Sequence, residues 1–355
     1  MKPDGKDGQG GGEMSTFSGL RRFALGALRG RPRTVFLEVT LRCNARCDFC
    51  RYWRLPVVEE VKDFRPIVAR FSPVSVTLTG GEPLVRSDIC DLVAGIRSTG
   101  DYFISLITNG IKLDIEKARR LRAAGLDGLS VSLNYPNELQ DREKGVPGLY
   151  RKLADVLPGL RRLGFRRLSL NTVLMANNLG WIPSIVERAQ AWGMGLTVSC
   201  YSPGKAGLHS PVIGQDQSNE LRDVVELLKR EHGSGCVENS FWYLDRIEPF
   251  HRQRHVAGCL AGRRTIHVTS QGMVRPCPEL PIVSHWSSYD ARKAPLPRCG
   301  VCWYACRGEV EAPLTLARIR ELAARCQAQK APEGHRAANR QNGTAHLRYD
   351  GSAIP

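Results

Sequence analysis

No apolar run in this 355-residue chain approaches the length needed to cross a bilayer, and its opening, MKPDGKDGQGGGE, is polar and glycine-rich instead of an apolar leader. The expectation is neither a membrane-spanning nor a secreted protein. That decides how its twelve cysteines are read. In a small secreted chain they would imply disulfides; here they imply cytoplasmic thiols kept reduced for metal ligation.

Acidic side chains are also in deficit, 35 against 51 Lys and Arg, for a formal net charge of +16. Much of the surplus is spread as Arg119, Arg120, Arg122, Arg161, Arg162, Arg166 and Arg167 over helix-like segments, where a solvated surface explains it. No RNA-binding module or aromatic and basic stacking platform is recognisable, so nothing points to nucleic acid. The concentrated exception is Ser15 to Gly30, in which Leu20, Phe23, Ala24, Ala27 and Leu28 share one helical face flanked by Arg21, Arg22 and Arg29. Such a segment packs beneath a domain or lies on an anionic lipid surface, and the first reading is preferred. Contact with the inner face of the membrane is therefore kept as the alternative to a purely cytoplasmic location.

A third shortage is local. Cys43, Cys47 and Cys50 crowd into eight residues, LRCNARCDFC, with no His or carboxylate between positions 40 and 47 to complete them. They follow a β-rich run containing Val35, Phe36, Leu37 and Val39, which delivers them to one rim of a sheet. Thiolates select zinc or iron-sulfur clusters, and a closed site of either kind takes four protein ligands. Three leave a coordination position open for chemistry; a zinc knuckle completed by a distant cysteine is the bland alternative.

Two further strand ends carry motifs. Residues Val74 to Thr79 read as a buried strand ending in Gly80, Gly81, Glu82 and Pro83, a turn whose glycines allow close backbone approach and whose Glu82 supplies an acceptor for an amine. Phe103 to Ile107 read as another, ending in Thr108, Asn109 and Gly110. In this order, a C-x3-C-x2-C loop, a GGEP turn and a TNG turn at successive strand ends resemble the radical S-adenosylmethionine (SAM) superfamily. The resemblance implies that Cys43, Cys47 and Cys50 hold three irons of a [4Fe-4S] cluster, with SAM chelating the fourth. It also implies that Gly80, Gly81, Glu82, Pro83, Thr108 and Asn109 form the SAM-facing turns, and that Phe49 lies beside the adenine. Ser132 and Asn134, after a strand from Gly128 to Leu133, match ribose contacts, although the family more often has Asp where this chain has Asn134. One electron from the reduced cluster would cleave SAM to methionine and a 5'-deoxyadenosyl radical. Such enzymes draw that electron from a donor such as flavodoxin or ferredoxin.

Strand-like runs begin near Thr34, Val74, Phe103, Leu129, Leu168 and Leu196, separated by helix-like stretches at Ser87 to Arg97, Ile115 to Ala124, Leu149 to Leu163 and Ile182 to Ala191. Six β/α units are too few to close a standard eight-fold barrel, and predict an α/β fold: a partial (β/α)6 TIM-type barrel with its active site at the C-terminal strand ends. The expected organisation is a flexible segment over 1–32, a barrel core over 33–215, a linker helix and small cysteine-rich domain over 216–326, and a disordered tail over 327–355.

The C-terminal region supplies Cys259, Cys277, Cys299, Cys302 and Cys306, with Gly272 in the spacing C-x12-G-x4-C followed by C-x2-C. This resembles the twitch or SPASM auxiliary-cluster domains appended to many radical SAM enzymes, including their β-hairpin, read here over Thr265 to Thr269 and Met273 to Arg275. A full SPASM pattern would place a cysteine where this chain has Gly308, and Cys306 comes early. One auxiliary [4Fe-4S] cluster on Cys259, Cys277, Cys299 and Cys302 is expected. Cys306 is then a spare, an alternative ligand or a substrate-facing thiol, and structural zinc is the competing account. Cys90 and Cys200 read as buried thiols, Cys200 with a secondary chance of meeting substrate. Asp141 and Arg142 read equally as a capped helix start or as a segment approaching SAM.

Three functions follow in order of preference. The first is a radical SAM enzyme acting on a peptide or small metabolite with help of one auxiliary cluster. The second is a radical SAM enzyme acting on an isoprenoid or other lipid at a membrane. The third is a non-catalytic iron-sulfur or zinc scaffold.

Overall fold

The computed structural model describes residues 29–204, 208–316 and 318–321. The strands are β1 (Thr34–Thr40), β2 (Ser75–Gly80), β3 (Phe103–Thr108), β4 (Gly128–Ser132), β5 (Arg167–Leu174), β6 (Gly195–Cys200), β7 (Thr265–Val268), β8 (Met273–Arg275) and β9 (Ser284–His285). The helices used below are α1 (Arg65–Phe71), α2 (Ile89–Ser98), α3 (Ile115–Ala123), α4 (Leu139–Lys144), α5 (Leu149–Val156), α6 (Ile182–Ala191), α7 (Ser218–Gly233), α8 (Phe241–Leu244), α9 (Ile247–Gln253) and α10 (Ala305–Glu311).

β1 to β6 pair in sequence order, every pair parallel, which is the partial (β/α)6 barrel expected. The two-residue period of a strand explains the layering. In β3, Ile104 and Leu106 are buried in the hydrophobic core, whereas Phe103, Ser105 and Ile107 line the barrel interior. Helix α2 completes the outer layer at helical spacing, burying Ile89, Val93 and Ile96. Its Arg97 pairs with Asp127 and donates to the Gly125 carbonyl at 2.9 Å, tying α2 to the loop before β4.

The helix expected over Leu149 to Leu163 is interrupted. α5 stops at Val156, and Leu157–Leu163 winds as a 3-10 helix. Pro158 has no N–H for the α-helical bond to Ala154 and its ring crowds that carbonyl, so the tighter winding takes over.

The hairpin of β7 and β8 forms antiparallel as expected, and β7 also pairs parallel with β1 from Thr34↔Thr265 to Leu37↔Val268. The C-terminal hairpin thus extends the barrel sheet to nine strands in the order β6-β5-β4-β3-β2-β1-β7-β8-β9. A compact unit runs to Pro313, and Leu314 begins a second unit in which Arg318 pairs with Glu321 at 2.7 Å. Among the described residues no helix is long and apolar enough to cross a membrane. The amphipathic segment from Ser15 lies outside the described residues except for Arg29 and Gly30, as does the tail over 327–355.

Candidate active site

The cysteine loop leaves the C-terminal end of β1 and is pinned on two sides. On one side, the Gly81 and Glu82 amides donate to the carbonyls of Thr40 (2.8 Å) and Arg42 (2.9 Å). The approach is close enough to require glycine. A Cβ at Gly80, whose φ is +138°, would lie 2.2 Å from the Thr40 oxygen, and one at Gly81 would lie 2.3 Å from that of Arg42. On the other side, the Arg46 and Asp48 amides donate to the carbonyls of Lys144 (2.9 Å) and Glu143 (3.3 Å) in α4. The glycines therefore serve first to dock the cysteine loop.

Cys43, Cys47 and Cys50 are half-buried thiols, and no disulfide involves them. Burial pushes the Cys47 thiol up to about 11 and raises Cys43 as well, while the charge of Lys144 opposes both shifts. Loading a metal centre therefore displaces protons. Among the described residues no three His, Cys, Asp or Glu side chains converge on a single metal ion. Ligands that bind three different irons need not converge, and the soft all-thiolate donor set fits a cluster with one iron left open.

Glu82 occupies the junction of the GGEP and TNG turns. Its Oε1 accepts from the Leu84 amide (2.9 Å) and Thr108 Oγ1 (2.7 Å), and its Oε2 from the Asn109 amide (2.7 Å). The carboxylate expected to receive a ligand amine is thus largely engaged by protein donors. Pro83 opens the 3-10 turn that Glu82 caps. Asn109 reaches the cysteine loop, donating from Nδ2 to Asn44 Oδ1 at 3.0 Å, with Cys43 Sγ at 4.0 Å.

Burial holds the Glu82 pKa above the usual carboxylate value, against these hydrogen bonds. A raised folded-state pKa stabilises the fold fully below the unfolded pKa, and the contribution is lost as the pH rises through the folded value. Glu82→Ala strands the buried amides of Leu84 and Asn109, at about 1–3 kcal/mol each. Urea unfolding is expected to show the loss, and the gap to wild type widens as the pH is lowered.

The residues matched to ribose contacts have partners within the protein. Asn134 is buried, and its carboxamide is spent on the protein: Nδ2 donates to Glu143 Oε1 (2.6 Å) and Oδ1 accepts from the Val173 amide (2.9 Å). Ser132, at the end of β4, offers its carbonyl to Gln140 Nε2 at 3.3 Å. Asp141 proves structural, its carboxylate accepting from the Gly148 (2.6 Å) and Tyr150 (2.7 Å) amides at the start of α5. Attention to Asp141 and Arg142 missed their neighbours. Glu143 and Lys144 are buried and paired at 3.0 Å, and Lys144 Nζ lies 4.9 Å from the centroid of the Phe49 ring. The available signal was helical spacing, since Gln140, Glu143 and Lys144 share one face of α4 and all three are buried.

The second cysteine group comes from the C-terminal region. Cys259 and Cys302 are buried, and Cys277, Cys299 and Cys306 are half-buried. Burial raises Cys259, Cys277 (to about 11) and Cys302, and neighbouring thiols of the group add to each shift. Arg307 locks the segments together, donating to the carbonyls of Cys302 (2.8 Å), Val256 (2.6 Å) and Ala257 (3.1 Å) and to Glu311 (3.2 Å). Glu311 in turn accepts from the Leu260 amide at 2.9 Å. Cys326, the remaining cysteine beyond Cys306, lies outside the described residues.

The barrel interior holds a cavity of about 520 Å3 that a thiol of each group lines. Phe49 and Cys50 of the first group and Tyr304 and Cys306 of the second both line it, while Thr77, Ser105, Ser130 and Ser169 surface its interior. These hydroxyls bond one another across strands, Thr77 to Ser105 at 3.0 Å and Ser130 to Ser169 at 3.1 Å. Cys200 borders the cavity too, but its thiol is fully buried, accepts from Tyr243 Oη at 3.6 Å, and is pushed up to about 12 by burial. That suits the buried structural thiol first expected.

Comparison with known proteins bears on the fold and the family. The model of the radical SAM superfamily matches residues 37–189, a span containing every motif from the cysteine loop to Asn134. AdoMet-dependent heme synthase of Methanosarcina barkeri is 28% identical over 322 residues, covering 78% of this chain and 90% of that protein. PqqA peptide cyclase of Granulibacter bethesdensis is 26% identical over 281 residues, 73% of each chain. Among solved structures, Streptococcus suis SuiB bound to S-adenosylmethionine shares the fold, with a TM-score of 0.60 and 17% identity over 76% of this chain and 69% of SuiB. The match over the motif-bearing strands, on a six-stranded parallel barrel with its thiols at the C-terminal rim, makes this chain a radical SAM superfamily enzyme.

Proposed function

We propose that Cys43, Cys47 and Cys50 bind the [4Fe-4S] cluster that the family implies, and that the chain modifies a peptide drawn into the barrel cavity, assisted by one auxiliary cluster on Cys259, Cys277, Cys299 and Cys302. The observation that carries the reading is the shared cavity, whose wall includes Cys50 from one thiol group and Cys306 from the other. When bound and reduced, the first cluster supplies the electron that splits SAM and yields a 5'-deoxyadenosyl radical. The protein's part is positional. Glu82, Thr108 and Asn109 hold the two turns against the cysteine loop, and Phe49 presents an apolar face beside Cys50.

A peptide is favoured as substrate because PqqA peptide cyclase is among the relatives and SuiB is known bound to its precursor peptide SuiA. The scaffold reading is set aside by family membership, and nothing among the described residues favours the lipid reading. Cys306 is assigned as the substrate-facing thiol rather than an iron ligand.

Anaerobic reconstitution, reduction and chromatography are expected to give 5'-deoxyadenosine and methionine from SAM. Cys306→Ser is expected to keep the wild-type iron content, whereas Cys302→Ser loses about four irons. No SAM cleavage by the loaded wild type would refute the proposal, and iron loss in Cys306→Ser would reassign that thiol as a ligand.

A further inference from the structure

We infer that the buried Glu143 and Lys144 pair beneath the cysteine loop tunes the reduction potential of the cluster held there, Lys144 raising it and Glu143 lowering it. The inference rests on the assignment of that cluster to Cys43, Cys47 and Cys50.

Both residues end α4 directly under the loop, since their own carbonyls receive the Arg46 and Asp48 amides. Lys144 is 2% exposed and Glu143 6%, so water screens neither charge well. Such a pair is weak evidence of a stabilising device, because desolvation consumes most of its Coulomb gain and apolar replacements of similar volume often do as well. Its orientation indicates a different use. The Glu143 carboxylate is turned to Asn134, which donates to it at 2.6 Å, while the Lys144 ammonium lies over the ring of Phe49, which with Asp48 separates Cys47 from Cys50. The pair therefore presents its positive end to the loop.

Reduction adds one electron to the cluster and makes it one charge more negative. A nearby ammonium favours that step and a nearby carboxylate opposes it, and local charge is among the determinants of cluster potentials. Asn134 belongs to the device. Its side-chain Nδ2 donates to Glu143, whereas an Asp at this position would set two carboxylates at hydrogen-bond distance.

The test is an EPR-monitored redox titration of the SAM-responsive signal in the reconstituted holoenzyme, with iron counted per chain. Glu143→Gln is expected to raise the midpoint potential by about 59 mV, a tenfold change in the reduced-to-oxidised ratio for one electron. Lys144→Met is expected to lower it by a similar amount, the double variant to fall between the two, and Lys144→Arg to stay near wild type. A fold defect does not move the potential in opposite directions. Shifts of the same sign in the two single variants, or none, overturn the inference. Should Lys144→Met fail to load iron, Glu143→Gln must still lie above the double variant, and equality between them overturns it equally. Persistence of the SAM-responsive signal after alanine replaces all three loop cysteines refutes the cluster assignment itself and is read separately.

Discussion

Alanine at Cys43, Cys47 and Cys50 together is expected to abolish SAM cleavage, below any detectable 5'-deoxyadenosine, while about four irons per chain remain of about eight. The expectation follows from the separation of the two thiol groups. The loop cysteines are held by β2 and α4, whereas the C-terminal group is locked by Arg307 and Glu311 through carbonyls and an amide of its own segments. Nothing in that lock involves the loop. Iron and sulfide counting with a cleavage assay decides the point. Loss of all iron would mean that the C-terminal cysteines hold no cluster of their own, and retention of cleavage activity would displace the loop cysteines from their assigned role.

Those cysteines were legible in sequence because their chemistry is local. A C-x3-C-x2-C loop needs only a strand to position it, and the β-branched and aromatic run of β1 announced that strand. The six parallel strands were legible for a similar reason, each being short, apolar on one face and bounded by turn residues. What escaped depends on distant partners. Asn134 has the character of a ligand-binding amide until Val173, 39 residues away, and Glu143 are seen to engage it at both ends. Lys144 looks like a surface lysine until the cysteine loop closes over it. The pairing of β7 with β1 joins residues some 230 positions apart by a register that no local pattern encodes. The cavity's hydroxyl lining was present as Ser and Thr on one face of β2 to β5, and only the curvature of the assembled sheet turns that face into an interior.

Gly80→Ala and Gly81→Ala are expected to be the most damaging single methyl additions in the barrel. At Gly81 the added carbon would sit 2.3 Å from the Arg42 oxygen and 2.6 Å from that of Leu41; at Gly80 it would sit 2.2 Å from the Thr40 oxygen, with φ at +138° adding conformational strain. These neighbours are backbone carbonyls in a hydrogen-bonded junction, so no side chain can swing aside. The first turn of the cysteine loop or the end of β2 has to move. A useful contrast is Gly148, whose φ of +76° is also left-handed but whose Cβ position meets nothing within 4 Å. Gly148→Ala isolates the conformational cost, about 1–2 kcal/mol. The junction variants add steric overlap and broken loop hydrogen bonds, for about 4 kcal/mol or more, the range reserved for changes a fold cannot absorb. Urea unfolding of the three variants measures the difference. Iron counting on the same samples shows whether the loop still loads, with the expectation that Gly148→Ala retains full occupancy and both junction variants lose the loop's share. Equal stability losses at all three glycines would mean that the loop does not dock on the GGEP turn through its backbone.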